Sequence, residues 1–575
     1  MRWPAGRYEL LAREIAMGSS NSALKIQGDM ICAVSTKAVE TVHVPRGIKK
    51  IGHGAFSNCK RLTTVSLKLP DTLIGIGSRA FDSCQNLASI PIPETLVSIG
   101  ASAFFECGSI TSLTLPANLT RVGSNAFKHC RGLTRIVLPQ NADIGDSAFE
   151  GCHRLARIVL PRKSTFISKH TFEGCQRLTS VTFPTALTRI DSSAFSGCVS
   201  IPSLAFPATL TNLSSEAFDG CRGLTSVTLP DSLTSLGANA FRNCCGISSL
   251  TLPANLTHVS SHAFYHCNGL TSLTLPDKLL IIDNSAFYSC TGLTSLTLPD
   301  SVTTIGKSAF YGCNLLSTVT LSSSLTSIGA NAFQYCVKIA SISFPDNLKS
   351  IGSEAFQWCK GLTSLTLTHS LKSIGYNAFT SCIGLTSVTF PDNMTTIGSQ
   401  LFCRCTSLAS IKFPERLRGI GYASFSDCSA LASLKLPNSL ASISDKVFSQ
   451  CRGLTSLQLP KTLTYIGAHT FSDCTALTSL ALPDTVSEIG TGAFRRCRGL
   501  TSLALPYALT SAHCAFSECT GLNSVVFRPR VSCAFIAWAV GGSRNRANWQ
   551  VTTLKHSLSL LRIILSSAKI CPERR

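Results

Sequence analysis

The sequence predicts a repeat solenoid of about 21 repeats of 23 residues, built mainly from short β-strands with one helical turn per repeat. Three observations predict it. A phenylalanine recurs 21 times at a nearly fixed interval, from Phe56 to Phe516. A cysteine follows each of them by three residues, from Cys59 to Cys519. Six residues after most of them begins a stretch like Leu-Thr-Ser-Leu-Thr-Leu-Pro. Such a period means that each unit buries its apolar side chains only by stacking on its neighbours.

The helical turn is predicted from the spacing of phenylalanine and cysteine. In the repeat that begins at Phe264, Cys267 follows three residues later. One helical turn would point both side chains in the same direction, towards the core. Asn268-Gly269 comes next and supplies the residue types that turns prefer.

The strand is predicted from alternation. In Leu270–Leu275 of the same repeat, leucines alternate with Ser272 and Thr274, so the leucines face inward and the hydroxyl residues outward. Pro276 ends the strand because it has no backbone N–H to donate to a neighbour. Leu279 continues the apolar set in a second short extended segment.

The full pattern resembles a known family. Leu-x-x-Leu-x-Leu-Pro-x-x-Leu-x-x-Ile-Gly-x-x-Ala-Phe-x-x-Cys, repeated over residues 41–527, looks like the BspA-like, or treponemal-type, leucine-rich repeat. The resemblance implies a curved, right-handed superhelix. Several bacterial members are surface proteins that bind host or matrix proteins, so an adhesin-like role is one alternative. The family shares no catalytic residues, and none is carried over to this chain.

The repeat region divides the chain into three parts. Residues 1–40 are expected to form an N-terminal cap or leader, with a short amphipathic helix at 9–17. Residues 41–527 form the solenoid. Residues 528–575 form a basic C-terminal segment, in which 551–569 suits an amphipathic helix that caps the last repeat or docks on a membrane.

The cysteine ladder is expected to consist of reduced thiols. The chain has 27 cysteines, of which 21 occupy the repeat position. Equivalent side chains of stacked repeats run parallel, whereas a disulfide needs the Cβ atoms to converge to about 3.8 Å. Buried thiols behave as small apolar groups. This is compatible with the cytosol and does not exclude secretion.

The charge distribution suggests an anionic partner. The formal net charge is +21, with +8 in residues 528–575 and +7 in residues 121–190, where 11 basic residues face 4 acidic ones. We expect the partner to be another protein, with an acidic surface; a membrane surface or nucleic acid is the alternative. Arg7, Glu9 and Arg13 interrupt any signal-peptide core, and no apolar stretch is long enough to span a membrane, which favours a cytoplasmic location. The oligomeric state is not readable from the sequence.

Binding residues are sought where outward strand positions break their own rule. The positions eight and ten residues after each phenylalanine usually hold serine and threonine. Arg135 and Arg157 replace the serine in consecutive repeats, with Val137 and Val159 beside them. Two guanidinium groups one rung apart could clamp an anionic, partly apolar partner, although the plainer interpretation is a solubilising surface. Three further arginines are expected in the flanking turns: Arg131, Arg154 and Arg177.

A second departure is a polar row. Lys412, Lys435 and Gln458 occupy the threonine position in three consecutive repeats. These residues are a weaker candidate for the same kind of binding surface.

Catalytic and metal-binding patterns are weak. The chain has no glycine-rich phosphate loop and no Gly-x-Ser-x-Gly motif. The cysteines outside the ladder lack zinc-site spacing. We therefore expect no catalytic residues, metal or cofactor. The sequence favours a non-enzymatic protein-binding scaffold, with an adhesin-like protein and an anion-binding module through residues 121–190 and the C-terminus as alternatives.

Overall fold

Two short parallel strands in most coils form the frame of the fold, which a computed structural model describes for residues 23–63, 70–526 and 550–552. The coils fall into two compact units, Met1–Leu279 and Leu280–Arg575. Ten of the ladder phenylalanines belong to the first unit and eleven to the second. The chain is thus a solenoid of about 21 stacked coils.

The first strand of a coil, here called the triplet strand, begins eight residues after the phenylalanine. Triplet strands of the first unit are Ser112–Thr114, Arg135–Val137, Arg157–Val159, Ser180–Thr182, Ser203–Ala205, Ser226–Thr228, Ser249–Thr251 and Ser272–Thr274. Those of the second unit are Ser295–Thr297, Thr318–Thr320, Ser364–Thr366, Ser387–Thr389, Ser410–Lys412, Ser433–Lys435, Ser456–Gln458, Ser479–Ala481, Ser502–Ala504 and Ser524–Val526.

The second strand, the doublet strand, ends five residues before the next phenylalanine. Doublets of the first unit are Lys50–Ile51, Gly75–Ile76, Ser98–Ile99, Arg121–Val122, Asp143–Ile144, Phe166–Ile167, Arg189–Ile190, Asn212–Leu213, Ser235–Leu236 and His258–Val259. Those of the second unit are Ile281–Ile282, Thr304–Ile305, Ser327–Ile328, Ser350–Ile351, Ser373–Ile374, Thr396–Ile397, Gly419–Ile420, Ser442–Ile443, Tyr465–Ile466 and Glu488–Ile489.

The described residues near the chain ends add strands to these ladders. An antiparallel hairpin of Leu24–Gln27 and Met30–Val34 pairs in parallel with Lys50–Ile51 through its second strand. Gln550–Thr552 pairs in parallel with Ser524–Val526. The helix expected at 551–569 is therefore wrong for its first two residues. The rest of that helix, and the helix expected at 9–17, lie outside the described residues.

The described residues contain no α-helix, so the predicted helical turn in each repeat is wrong. The Cys84 amide does donate to the Phe81 carbonyl three residues back, at 3.2 Å, as in a turn. The Phe81 amide, however, donates to the next coil, to the Ala103 carbonyl at 2.8 Å. On either side of Phe81, Arg79 and Ser83 have φ of 55° and 59°. A right-handed helix cannot continue through residues of that conformation, and alternate amides are committed to the neighbouring coil.

The phenylalanines form a stack in the core of each unit. All 21 ladder rings are fully buried. Successive ring centroids are 5.1–5.6 Å apart and the planes are nearly parallel, from Phe56 to Phe264 and from Phe287 to Phe516. Such distances are typical of favourable offset stacking.

The ladder cysteine does more than fill space. Its thiol donates to the phenylalanine carbonyl of the preceding coil, as Cys84 Sγ does to Phe56 O at 3.1 Å. The same carbonyl accepts the Cys59 amide at 3.2 Å. The described cysteines are all free. The hydrogen bond explains why a purely apolar side chain would not serve equally well at this position.

Burial holds these thiols in their neutral form. It raises the pKa of Cys84, Cys130, Cys382 and Cys451 to about 12 in each case. In an unfolded chain a cysteine titrates near pH 8.5. Because the folded pKa is raised, the stabilisation is complete below about pH 8.5 and is lost as pH rises towards the folded value.

We expect the urea concentration at half-unfolding to fall steeply between pH 8.5 and pH 10, because the unfolded state releases thiol protons that the folded state retains. Each such thiol should add about 1.4 kcal/mol per pH unit to the loss. The measurement is urea unfolding at several pH values under a phosphine reductant. Cys130→Ala is the control and should reduce the slope by one proton. A midpoint that stays flat to pH 10 would contradict the prediction.

Candidate functional site

The outward residues of the triplet strands form the candidate binding surface. In Ser226–Thr228 the serine and threonine are exposed while Val227 between them is buried, and most triplet strands repeat this pattern. The alternation predicted from the sequence is thus present. A change at an outward position does not disturb the core, so the ladder tolerates charged residues there.

The structure brings the predicted arginine pair together. Arg135 and Arg157 are register partners on adjacent parallel strands. Val137 and Val159, two residues further along the same strands, are 42% and 55% exposed. Within the described part of the chain, neither guanidinium group has a hydrogen bond or an ion pair. We call these four residues the Arg–Val patch.

The surroundings of the Arg–Val patch stay positively charged. The three flanking arginines are all exposed: Arg131, Arg154 and Arg177. Two nearby carboxylates bind other cations: Glu150 pairs with Lys128 at 2.7 Å, and Glu173 contacts His170 at 2.6 Å. Burial by itself would raise the pKa of Glu150, but the Lys128 hydrogen bond outweighs it and holds that pKa below its usual value. These acids therefore leave the arginines of the patch available.

The second predicted row is only partly assembled. Lys435 and Gln458 are register partners, and both are exposed. Lys412 is also exposed, but its register partner is Thr389 of the preceding coil. Among the strand pairs of the described residues, none links Lys412 to Lys435. These side chains make a less continuous surface than the Arg–Val patch.

An opening in the first unit lies where the doublet ladder is interrupted. Asp143–Ile144 pairs with the doublet before it, and Phe166–Ile167 pairs with the doublet after it, but the two do not pair with each other. The core residue of a described doublet is buried except at Ile144 and, in the second unit, Ile374. A cavity of about 160 Å³ lies between the two coils, with Ala142, Ile144 and Ser164 in its lining.

The second unit has a wider opening next to Ile374. Ser373–Ile374 and Thr396–Ile397 do not pair, and a cavity of about 540 Å³ lies there. Leu401 lines it and stands immediately before the ladder phenylalanine, where most coils have alanine. One coil later, Ser424 Oγ at this position reaches the Gly398 carbonyl of the preceding coil at 2.7 Å. The side chain points at the preceding coil, so we infer that the larger leucine holds the coils apart.

The sequence contains a signal for the first opening that the search for outward departures missed. Three residues after the proline that follows each triplet strand, leucine is the usual residue, such as Leu119 and Leu187. Ala142 and Ser164 occupy this position in the two coils between them. Comparing inward columns as well as outward ones would have found the cavity.

The described residues contain no helix long and apolar enough to cross a membrane. They also contain no group of three or more His, Cys, Asp or Glu side chains placed to hold a metal ion.

Comparison with known proteins gives a family match over most of the chain. The family model is described as a BspA type leucine rich repeat region of 6 copies, and it matches residues 32–156, 142–271, 257–382, 326–455 and 441–535. No protein with a curated description matches the chain.

Solved structures of bacterial repeat proteins are similar to it. A leucine-rich repeat protein from Bacteroides ovatus is 26% identical, with 76% of this chain and 88% of that chain covered and a TM-score of 0.41. The T. pallidum leucine rich repeat protein is 32% identical over 32% of this chain and 77% of its own, with a TM-score of 0.27. A leucine rich cell surface protein from Faecalibacterium prausnitzii is 21% identical, covering 68% and 92%, with a TM-score of 0.33.

We expect Arg157→Ser, which restores the usual residue of the column, to stabilise the folded chain by about 0.3 kcal/mol, because like charges on adjacent strands repel. Urea unfolding in low salt would measure the gain, which should shrink in 0.5 M salt because exposed charges are screened. Arg157→Lys keeps the charge and should show little gain. A destabilised Arg157→Ser, or a gain that salt leaves unchanged, would contradict the repulsion.

Proposed function

The chain belongs to the BspA-type leucine-rich repeat family, and on that premise we propose that it is a non-enzymatic scaffold that binds another protein through the outward face of its triplet strands. Proteins of this family serve as interaction scaffolds or adhesin-like proteins. Solenoids present extended surfaces on which residues from many coils act together. The inward columns of this chain are committed to stacking, which leaves the outward positions free to vary with the partner.

The Arg–Val patch is the observation that supports this proposal. Arg135 and Arg157 stand one rung apart in exact register, next to two exposed valines. Exposed apolar side chains beside unpaired guanidinium groups are unusual on a face that is otherwise serine and threonine. A guanidinium group binds carboxylates in a two-pronged geometry, and the valines can be covered by apolar side chains.

The partner is therefore proposed to be a protein surface that alternates acidic and apolar side chains. Carboxylates would bind the two guanidinium groups, and a leucine or phenylalanine of the partner would cover the valines. Arg131, Arg154 and Arg177 would speed the approach of an acidic partner without contacting it closely. The Lys435–Gln458 pair is a lesser candidate contact in the second unit.

An anion-binding role for membrane surfaces or nucleic acid is the alternative outcome. Binding dominated by phosphate contacts weakens steeply with salt, roughly in proportion to the number of contacts. A protein interface with apolar contacts should weaken less. Salt dependence therefore separates the two roles without knowledge of the natural partner.

We expect peptides selected against the intact chain from a random peptide display library to combine aspartate or glutamate with large apolar residues. Their affinity for Arg135→Ser/Arg157→Ser should fall about 2- to 30-fold, since each exposed ion pair contributes modestly. The measurement is isothermal titration or fluorescence anisotropy in 50 mM and 300 mM salt.

Two matched variants make that experiment decisive. Lys412→Ser/Lys435→Ser removes the same charge from the second unit and should leave peptide affinity unchanged. A chain that ends at residue 527 tests the basic C-terminal segment. Loss of binding only in the lysine variant would contradict the Arg–Val patch, and tight, salt-sensitive binding of anionic vesicles or RNA that needs the C-terminal segment would favour the alternative.

A further inference from the structure

The opening beside Ile144 is produced by consecutive departures from the repeat. Phe127 and Phe149 are 22 residues apart instead of 23, because one residue is missing after Ala142. Ala142 and then Ser164 take the place of the leucine of their column. In the other described coils from residue 70 onwards this column holds leucine, valine or methionine, so two adjacent coils lack the side chain that fills this part of the core.

Two more departures in the second of these coils bear on the ladder. Ser168 stands where neighbouring coils have glycine, as at Gly123, where a Cβ would lie 2.6 Å from the Ala101 amide nitrogen. Thr171 stands in the alanine column and is 1% exposed. A side chain at the glycine position meets the preceding coil, so the ladder opens at the place where the leucine column is also empty.

The hydrogen-bonding groups of the opening are satisfied from within the chain. Ser168 Oγ donates to the Ile144 carbonyl at 2.7 Å, which in regular coils accepts an amide of the next coil, as Val122 O does from Gly145 at 2.9 Å. Thr171 Oγ1 donates to the Ser168 carbonyl at 2.7 Å. With these hydroxyl groups already engaged, the interior walls are largely apolar. The apolar lining residues are Ala142, Ile144, Leu160, Pro161 and Ile167.

The size of the cavity matches one small apolar group. Its volume is about 160 Å³. An engineered cavity of about 150 Å³ lined by apolar side chains binds benzene. We propose that the opening between Ala142 and Thr171 is a binding pocket for a single apolar group of about benzene size, aromatic or branched aliphatic. The pocket is independent of the proposed function, since none of its walls belongs to the Arg–Val patch.

The mouth of the pocket is polar and charged. Asp143, Lys163 and Phe166 line it and are exposed, and the Arg189 guanidinium lies over the Phe166 ring at 5.3 Å from its centroid. A ligand with an apolar end and a polar remainder would fit this arrangement. That description covers both a free small aromatic compound and an aromatic side chain of a bound polypeptide, so the test must separate them.

The test uses toluene as the free aromatic compound and N-acetylphenylalaninamide as the model of a polypeptide side chain. Each is titrated into the full chain with isoleucine methyl groups labelled for NMR. We expect saturable shifts of the Ile144 and Ile167 methyl signals with toluene. Shifts with both probes would mean that a polypeptide side chain can enter, and shifts with toluene alone would assign the pocket to a free ligand.

Ser164→Leu restores the leucine of the column and fills the pocket. It should raise the melting temperature of the chain and weaken toluene binding at least tenfold. Thr234→Leu is the matched control, because it adds the same side chain at an exposed position of another coil and should leave toluene binding unchanged. If Ser164→Leu does not fold, Ala142→Val serves in its place.

Three results would overturn the proposal. Toluene could fail to shift the Ile144 and Ile167 methyl signals of the unmodified chain. It could bind Ser164→Leu as tightly as the unmodified chain. It could also shift isoleucine signals of other coils to the same extent, which would show nonspecific association with the solenoid.

Discussion

The hydrogen bonds between coils at the phenylalanine are the constraint on which the rest of the structure depends. Amides on alternate residues of this turn donate to the next coil, which requires left-handed residues such as Arg79 and Ser83 on either side of Phe81. The coil spacing that results places successive rings 5.1–5.6 Å apart. It also brings each thiol within reach of the phenylalanine carbonyl one coil earlier, so ring stack, thiol ladder and backbone ladder share one geometry.

That geometry makes each inward column sensitive to size. At Gly123 a Cβ would already meet the backbone of the preceding coil, and the alanine column leaves little more room. The two openings follow from violations of these limits: Ser168 and Thr171 at Ile144, and Leu401 at Ile374. A repeat protein can thus form a cavity with a few substitutions, because coils on both sides preserve the fold.

Outward positions obey the opposite rule. Nothing stacks on the side chains of Arg135 or Arg157, so they can be replaced at little cost to the core and carry whatever a partner requires. The Arg–Val patch and the pocket near Ile144 arise in neighbouring coils of one unit by these two separate routes. One is an addition to the surface, and the other is an omission from the core.

The sequence by itself determined the architecture, the register and the exposure of the Arg–Val patch, because a strict period of 23 residues assigns every residue a column. It misjudged the phenylalanine turn, since a spacing of three residues fits both a helical turn and a turn whose amides pair with another coil. It could not join Lys412 to Lys435 or reveal the openings at Ile144 and Ile374. Those features depend on how far adjacent coils separate when side chains misfit, and only the packing of coil against coil sets that distance.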